Sequence, residues 1–226
     1  MFNNGLWERT GYDVIEKSAF IRLVAFFTAV SIGLVAVGSF TSYAWVLTWP
    51  LLIVTFIGML GGALIFSLID NPMISGFGVA LMSISAGLMI GPVVATYQVA
   101  VVLQAILITG GIVVTMSVIG IMFPDVFIGF GPYLLAGLTL LIFASFAQII
   151  FIALGFEAAV NMPILAWIGI GIFTLYVAYD WSRALSLPLT VDNAIDDAGA
   201  ITLDAINLFL RILQILGSSK SSSSKR

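Results

Sequence analysis

Between Arg22 and Arg183 the chain contains no lysine, arginine or histidine. A run of this length without a cation cannot form a water-exposed surface, so the sequence predicts that lipid surrounds it. Overall, 61% of the residues are hydrophobic and 8% are charged, against about 25% charged in ordinary soluble domains. The chain is therefore predicted to be an integral membrane protein that crosses the bilayer several times.

Seven apolar segments are long enough, or nearly long enough, to cross a bilayer as helices. Helix-breaking and polar residues separate these segments. Tryptophans lie near the segment ends, as expected for an aromatic belt at the membrane interface. The predicted limits are 21–40, 46–69, 74–91, 95–123, 131–154, 163–181 and 197–216, and the tryptophans are Trp45, Trp49, Trp167 and Trp181. The pattern indicates an all-α polytopic membrane protein.

One domain is expected, because the apolar segments follow one another with no soluble block between them. We expect a polar N-terminal segment over residues 1–18, a single transmembrane helical domain over 19–217, and a disordered Ser/Lys tail over 218–226. The short loops and the lack of a targeting signal favour a multi-pass protein of a bacterial inner membrane. The sequence does not predict an oligomeric state.

Lysine and arginine set the expected orientation, because cytoplasmic loops carry an excess of them. Arg9, Lys17 and Arg22 place the N-terminus in the cytoplasm, and six crossings return Arg183 to that side. The seventh segment would send the basic tail outside, so either it is re-entrant or enclosed, or an earlier segment does not span. It also carries the heaviest polar load, with Asp204, Asn207 and Arg211. We therefore expect six helices around a central seventh.

Composition also excludes several kinds of chemistry. With no cysteine and no histidine, the chain cannot build a thiol nucleophile, a disulfide, a thiolate zinc site or an imidazole base. No basic surface suits nucleic acid. No cofactor is predicted, and any chemistry must be carboxylate chemistry.

Asp180 and Asp204 are the candidate functional residues, since a carboxylate inside a membrane helix is costly and usually marks an ion or proton pathway. The loop 182–196 is long enough to let the two meet. Two carboxylates in a low dielectric cannot both ionise cheaply, so such a pair would share one proton. Its protonation would hold the two helices together, and its loss would push them apart. When deprotonated, the pair would attract a cation, with calcium favoured, at a weak and transient site.

Simpler explanations of the same residues stay open. Asp180 can pair with Arg183 three residues along the helix, and Asp204 can hydrogen-bond a neighbouring helix without titrating. Arg211 lies seven residues beyond Asp204 on the same helix face, where it can neutralise the carboxylate or extend to the membrane surface. Three further aspartates are expected to cap the last helix, or else to attract cations to a vestibule: Asp192, Asp196 and Asp197.

Two pairs of small residues at a spacing of four permit close helix contact. These are Gly58 with Gly62, and Gly87 with Gly91. We expect them to pack helices within one bundle, with a dimer interface as the alternative.

The last forty residues resemble the C-terminal signature of the Bax inhibitor-1 family. The stretch from Ala200 to Gly217 contains Ile-Thr-Leu-Asp-Ala-Ile-Asn-Leu-Phe-Leu, and the family reads roughly L-Y-L-D-x-I-N-L-F-L followed by L-L-x-x-L-G. Tyr179-Asp180 matches the family's other aspartate. Gly91-Pro92 with Tyr97 is similar to the family's third-to-fourth-helix segment. The resemblance implies seven helices with a central last helix, and a pH-sensitive calcium leak in which Asp180 and Asp204 form the sensor.

One departure from the family pattern affects the closed state. A bacterial member that the chain resembles holds the aspartates with an arginine of its second helix, whereas segment 46–69 has no basic residue here. Arg183 or Arg211 can take that role, with Asn207 as a further neighbour of the site, or the shared proton alone closes the leak.

Three rival functions were weighed against the leak. An intramembrane aspartyl protease requires Gly-x-Gly-Asp, whereas Asp204 follows Ile-Thr-Leu, so no enzyme is predicted. A secondary transporter is disfavoured because no internal repeat is visible. A non-conducting regulator that binds membrane proteins, such as a protease or cell-death proteins, is the main alternative.

Overall fold

The structure, a computed structural model, describes residues 14–155 and 163–223. Within these ranges the chain is helical and forms no strand. The helices are α1 Lys17–Ser42, α2 Trp49–Leu68, α3 Pro72–Val94, α4 Val99–Met122, the short α5 Pro124–Phe127, α6 Gly131–Ala153, α7 Pro163–Ala184 and α8 Val191–Ser223, with a 3₁₀ turn, Ile128–Phe130, between α5 and α6.

Seven helical stretches in the described ranges are long and apolar enough to cross a membrane, with α5 and α6 counted as one. All seven predicted segments are therefore confirmed, most of them within a few residues. The main difference is α8, which begins at Val191 where the sequence predicted residue 197. Thr190 explains the early start: its Oγ1 accepts a hydrogen bond from the Asn193 backbone N–H at 3.2 Å, as an N-cap does.

The predicted flanking segments are described only in part. Helix α8 continues to Ser223, into the segment predicted to be a disordered tail. Adding residues to an existing helix costs far less than starting one, so serine and lysine can extend it. Residues 1–13 and 224–226 lie outside the described residues.

The chain divides into two compact units where the sequence predicted one helical domain. The first contains the described residues up to Ala95 together with Ala184–Thr202, and the second contains those of Thr96–Arg183 and those from Leu203 onward. The division falls within α8, so this single helix contributes one half to each unit.

Glycines set the packing of the first unit, where α3 contacts both α1 and α2. A Cβ at Gly62 would lie 2.9 Å from the Met82 Cα, and one at Gly87 would lie 3.0 Å from the Gly38 Cα. Neither backbone can approach this closely past a side chain. The prediction that the two glycine pairs pack helices within the chain is therefore confirmed for this unit.

The first half of α8 joins the same unit through polar and small residues. Ser75 Oγ donates to Asp192 Oδ1 at 2.8 Å, and Asn193 Nδ2 donates to the Pro188 carbonyl oxygen at 2.7 Å. Gly199 leaves room for the Phe66 ring, whose nearest carbon would lie 2.9 Å from a Cβ at that position. The contacts with Ser75 and Phe66 hold the N-terminal part of α8 against α3 and α2, and the bond to Pro188 holds the turn that precedes it.

The second unit contains α4, α5, α6, α7 and the C-terminal half of α8. Gly120 of α4 lies against Ala178 of α7, and Ser182 Oγ of α7 lies 3.4 Å from the Gly120 carbonyl oxygen. Gly131 of α6 lies against the Tyr179 ring. Helix α7 therefore packs between α4 and α6, and its remaining face turns to α8.

Burial along α8 agrees with the expectation that the last helix is enclosed. From residue 191 to 217 no residue is exposed, whereas α6 has only two buried hydrophobic residues, Leu134 and Leu141. A helix with this polar load is stable in lipid only when its polar residues are shielded. Enclosure of α8 is what makes Asp204 tolerable there.

Candidate functional site

One face of α7 carries the polar residues that approach α8. Tyr176, Asp180 and Arg183 follow one another at spacings of four and three residues, so they project from the same side of the helix. Asp204 of α8 lies opposite them. Since α7 and α8 are consecutive and joined by a short turn, they run antiparallel, which brings the end of α7 beside the middle of α8.

The side chains of Asp180 and Asp204 approach each other closely enough to act as hydrogen-bond partners. Both are buried, with exposed fractions of 5% and 7%. A hydrogen bond between two carboxyl groups requires a proton on one of them. Two carboxyl groups in such an arrangement can share one proton.

Few donors compensate the charge of this pair. Within the described part of the chain, Oδ2 of Asp204 is buried without a hydrogen-bond partner. Burying a charged oxygen without a donor is costly, so this oxygen makes the site sensitive to any change in the charge around it.

Arg183 is the cation of the site. Its charge acts on both Asp180 and Asp204, although it belongs to α7 itself and not to the second helix. One positive charge beside one shared negative charge leaves the buried group neutral overall. Asp180 therefore interacts both with Arg183, as the simpler explanation proposed, and with Asp204.

Tyr176 completes the group, and sequence analysis missed it. Both carboxyl groups and Arg183 act electrostatically on its phenol. Its ring stacks edge-on against Tyr179, with centroids 6.0 Å apart and planes at 86°. Tyr179 is in turn seated against Gly131 of α6. The spacing of four residues between Tyr176 and Asp180 was the signal that could have identified it.

The residue after Asp180 departs from its prediction. Trp181 was assigned to the interfacial belt, but it is 3% exposed and packs against Gly120 of α4. The other three belt tryptophans, Trp45, Trp49 and Trp167, are exposed as predicted. Gly120 lets α4 approach the Trp181 Cβ closely, and this contact cannot be deduced from local sequence.

Two other candidate residues lie apart from the carboxyl pair. Asn207 Nδ2 donates to the Leu203 carbonyl oxygen one turn back in its own helix, at 2.9 Å. Arg211 Nη2 donates to Ser145 Oγ of α6 at 3.2 Å, and its charge is not among those acting on Asp204. Of the two arginines considered for the missing second-helix cation, Arg183 is the one that the structure brings to the pair.

The acidic residues do not assemble a resident metal site. In the described ranges, no group of three or more carboxylates lies close enough to hold a metal ion. Two carboxylates offer at most four oxygens, whereas calcium takes six to eight oxygen ligands. The two carboxylates alone therefore fall short of a complete calcium shell.

The chain is similar in sequence to known proteins over most of its length. Residues 17–221 match the family described as inhibitor of apoptosis-promoting Bax1. The mouse protein named Protein lifeguard 4 is 31% identical over 171 residues, which make up 74% of this chain and 68% of the mouse protein. Because the family match takes in nearly the whole described chain, the protein belongs to the Bax inhibitor-1 family.

Proposed function

We propose that this protein is a pH-sensitive cation leak, with calcium as the favoured ion, and that Asp180 and Asp204 form its gate. Family membership supports a membrane role of regulatory or channel type. The observation that carries the proposal is the close approach of two buried carboxyl groups, one on α7 and one on α8.

The closed state depends on the shared proton. With one proton, the pair forms a hydrogen bond between α7 and α8, and Arg183 balances its single negative charge. A neutral group of this kind tolerates burial in a low dielectric. It presents no net charge that would draw a cation into the protein.

Loss of the proton opens the gate. Two unit charges about 4 Å apart repel by about 4 kcal/mol at an effective dielectric of about 20, and one arginine cannot balance both. The repulsion favours separation of α7 and α8 at this level. The same two carboxylates then attract a cation, and hard oxygen ligands favour calcium.

Calcium flux from proteoliposomes between pH 5 and 8 tests the proposal. Wild-type flux should rise with pH, because deprotonation opens the gate. Asp180→Asn and Asp204→Asn should flatten this rise, since an amide donates its hydrogen bond to the remaining carboxylate at every pH. Asp192→Asn is the matched control, because Asp192 is equally buried on α8 but is bonded to Ser75.

The control should keep the wild-type pH profile. All variants are compared only where size-exclusion profiles show folded protein. No flux above that of empty liposomes at any pH would reject the leak. It would favour the regulator that binds membrane proteins, in keeping with a family described as an inhibitor, and the aspartates would then be structural.

A further inference from the structure

Arg211 carries a membrane-buried positive charge for which the described residues provide no counter-charge. It is half-buried, and no described carboxylate acts on its charge. A guanidinium group has five N–H donors, and the acceptor found for it here is neutral Ser145 Oγ. Ser145 already donates to the Leu141 carbonyl oxygen at 2.8 Å, so its lone pairs are turned to the arginine.

The direction of the side chain follows from the register of α7 and α8. Asp180 and Asp204 lie at one level, and the helices are antiparallel. Gly169 lies eleven residues before Asp180. In the antiparallel helix α8, the same level is reached about eleven residues after Asp204, at about residue 215. The Arg211 side chain, from Cγ to Nε, fills the space beside Gly169, 3.1–3.3 Å from where a Cβ would be. It therefore extends towards the C-terminal end of α8.

This direction brings the guanidinium group towards a membrane surface. Position 215 lies within about one helical turn of Ser218, where the apolar part of α8 ends. Long cationic side chains near helix ends place their charge at the interface in this way. Gly169 makes the route possible, since a Cβ would press on the arginine.

The surroundings of this charge face lipid. Ser145 is flanked on α6 by exposed apolar side chains, and the N-terminal turns of α7 next to Gly169 expose others: Phe146, Ile149, Trp167 and Ile168. Trp167 is 58% exposed, as interfacial tryptophans are. A cation at the edge of a lipid-facing apolar surface matches a phospholipid, which has an anionic phosphate above apolar chains.

We propose that Arg211 and Ser145 form a binding site for the phosphate group of a phospholipid, between α6, α7 and the C-terminal half of α8. Arginine binds phosphate through two parallel N–H donors, and the neutral Ser145 leaves these donors available. Because no described carboxylate offsets the charge, the site favours lipids with a net negative charge over zwitterionic ones. The inference does not depend on ion flux.

Native mass spectrometry of the delipidated protein with added lipid tests the site. We expect phosphatidylglycerol to bind in preference to phosphatidylcholine, and Arg211→Gln to weaken that binding about tenfold. Arg211→Lys keeps the charge but loses the paired donors, so it should retain the preference with weaker binding. Arg22→Gln removes an exposed arginine of α1 and should change binding less than twofold.

Three outcomes would overturn the proposal. One is an equal loss of lipid in Arg22→Gln, which would show that overall charge matters and that Arg211 does not. Another is equal binding of the two lipids by the wild-type protein. The third is an Arg211-dependent thermal shift with inorganic phosphate alone, which would assign the site to a free anion.

Discussion

The balance of charges around Asp180 and Asp204 determines what these residues can do. Two carboxyl groups, one proton and Arg183 make a neutral group that can be buried, and removing the proton leaves an excess negative charge. Arg183 is therefore more than a neighbour of Asp180. In the proposed gate, its positive charge stabilises the ionised form of the pair, so we expect it to set the pH at which the shared proton is lost.

Replacing Arg183 tests this role. In Arg183→Gln, the ionised pair loses its compensating charge, and the protonated, closed form is favoured. The midpoint of the rise in calcium flux should move to higher pH, by on the order of one pH unit, which corresponds to about 1.4 kcal/mol. The measurement is the proteoliposome flux profile across pH. Arg22→Gln, whose charge acts on neither carboxyl group, should leave the midpoint in place.

A midpoint that moves to lower pH, or does not move, would contradict this account of Arg183. The first result would mean that the arginine holds the gate closed more strongly than it favours the charged pair. The second would mean that the shared proton acts without it.

The sequence predicts some residues of the candidate site better than others. Asp180 and Asp204 could be predicted because a carboxylate in an apolar segment is costly wherever it lies. Tyr176 could not, because tyrosine is common in membrane helices and only contact with the pair gives it a role. The prediction for Trp181 was wrong because its burial depends on Gly120 of another helix.

Glycine positions determine how the helices of the first unit approach one another. On α2, Gly61 and Gly62 are neighbours in sequence but differ completely in surroundings. A Cβ at Gly61 would meet no atom within 4 Å, whereas one at Gly62 would lie 2.5 Å from the Gly78 carbonyl oxygen and from the Met82 backbone nitrogen. The atoms around Gly62 are backbone atoms of α3, which cannot move aside individually.

Substituting alanine at Gly61 and at Gly62 gives a test with its own control. Gly62→Ala should force α2 and α3 apart and lower stability by about 1–3 kcal/mol, the usual cost of overpacking. Gly61→Ala should be neutral or slightly stabilising, since alanine favours helix more than glycine does. Thermal unfolding of the two purified variants in detergent measures the difference. Equal midpoints would show that α2 and α3 do not pack through Gly62.

Helix boundaries show where local sequence is sufficient and where it is not. Asn71 caps α3 by accepting from the Met73 and Ile74 backbone N–H groups at 3.0 and 3.3 Å, and the Asn-Pro pair made that start predictable. The start of α8 was predicted six residues late, because its first turns contain Asp192, Asp196 and Asp197. Charged residues usually lie outside a membrane span, so local sequence placed these three before the helix. The hydrogen bond from Ser75 of α3 to Asp192 shows how the helix can bury one of these aspartates.

Seven membrane crossings would place the basic residues of the two chain ends on opposite sides of the membrane. The Ile15 backbone N–H donates to the Leu189 carbonyl oxygen at 2.8 Å, so the chain before α1 meets the turn before α8 on one side. This contact agrees with six crossings between them, as the positions of the basic residues predicted. Helix α8 then runs from residue 191 to 218 through its apolar part, about 40 Å at 1.5 Å per residue.

A length of about 40 Å exceeds the hydrocarbon thickness of about 30 Å, so α8 should cross the membrane and place Ser218 opposite residues 14 and 186. The chain has no cysteine, which allows single-cysteine variants to report sidedness without a background. We expect Val14→Cys and Ser186→Cys to react with an impermeant maleimide from one face of sealed vesicles, and Ser218→Cys from the other. All three positions are exposed, so absence of labelling would reflect sidedness and not burial. Labelling of all three from one face would mean that α8 is re-entrant despite its length. The basic residues after Ser218 would then lie on the same side of the membrane as those of the N-terminus.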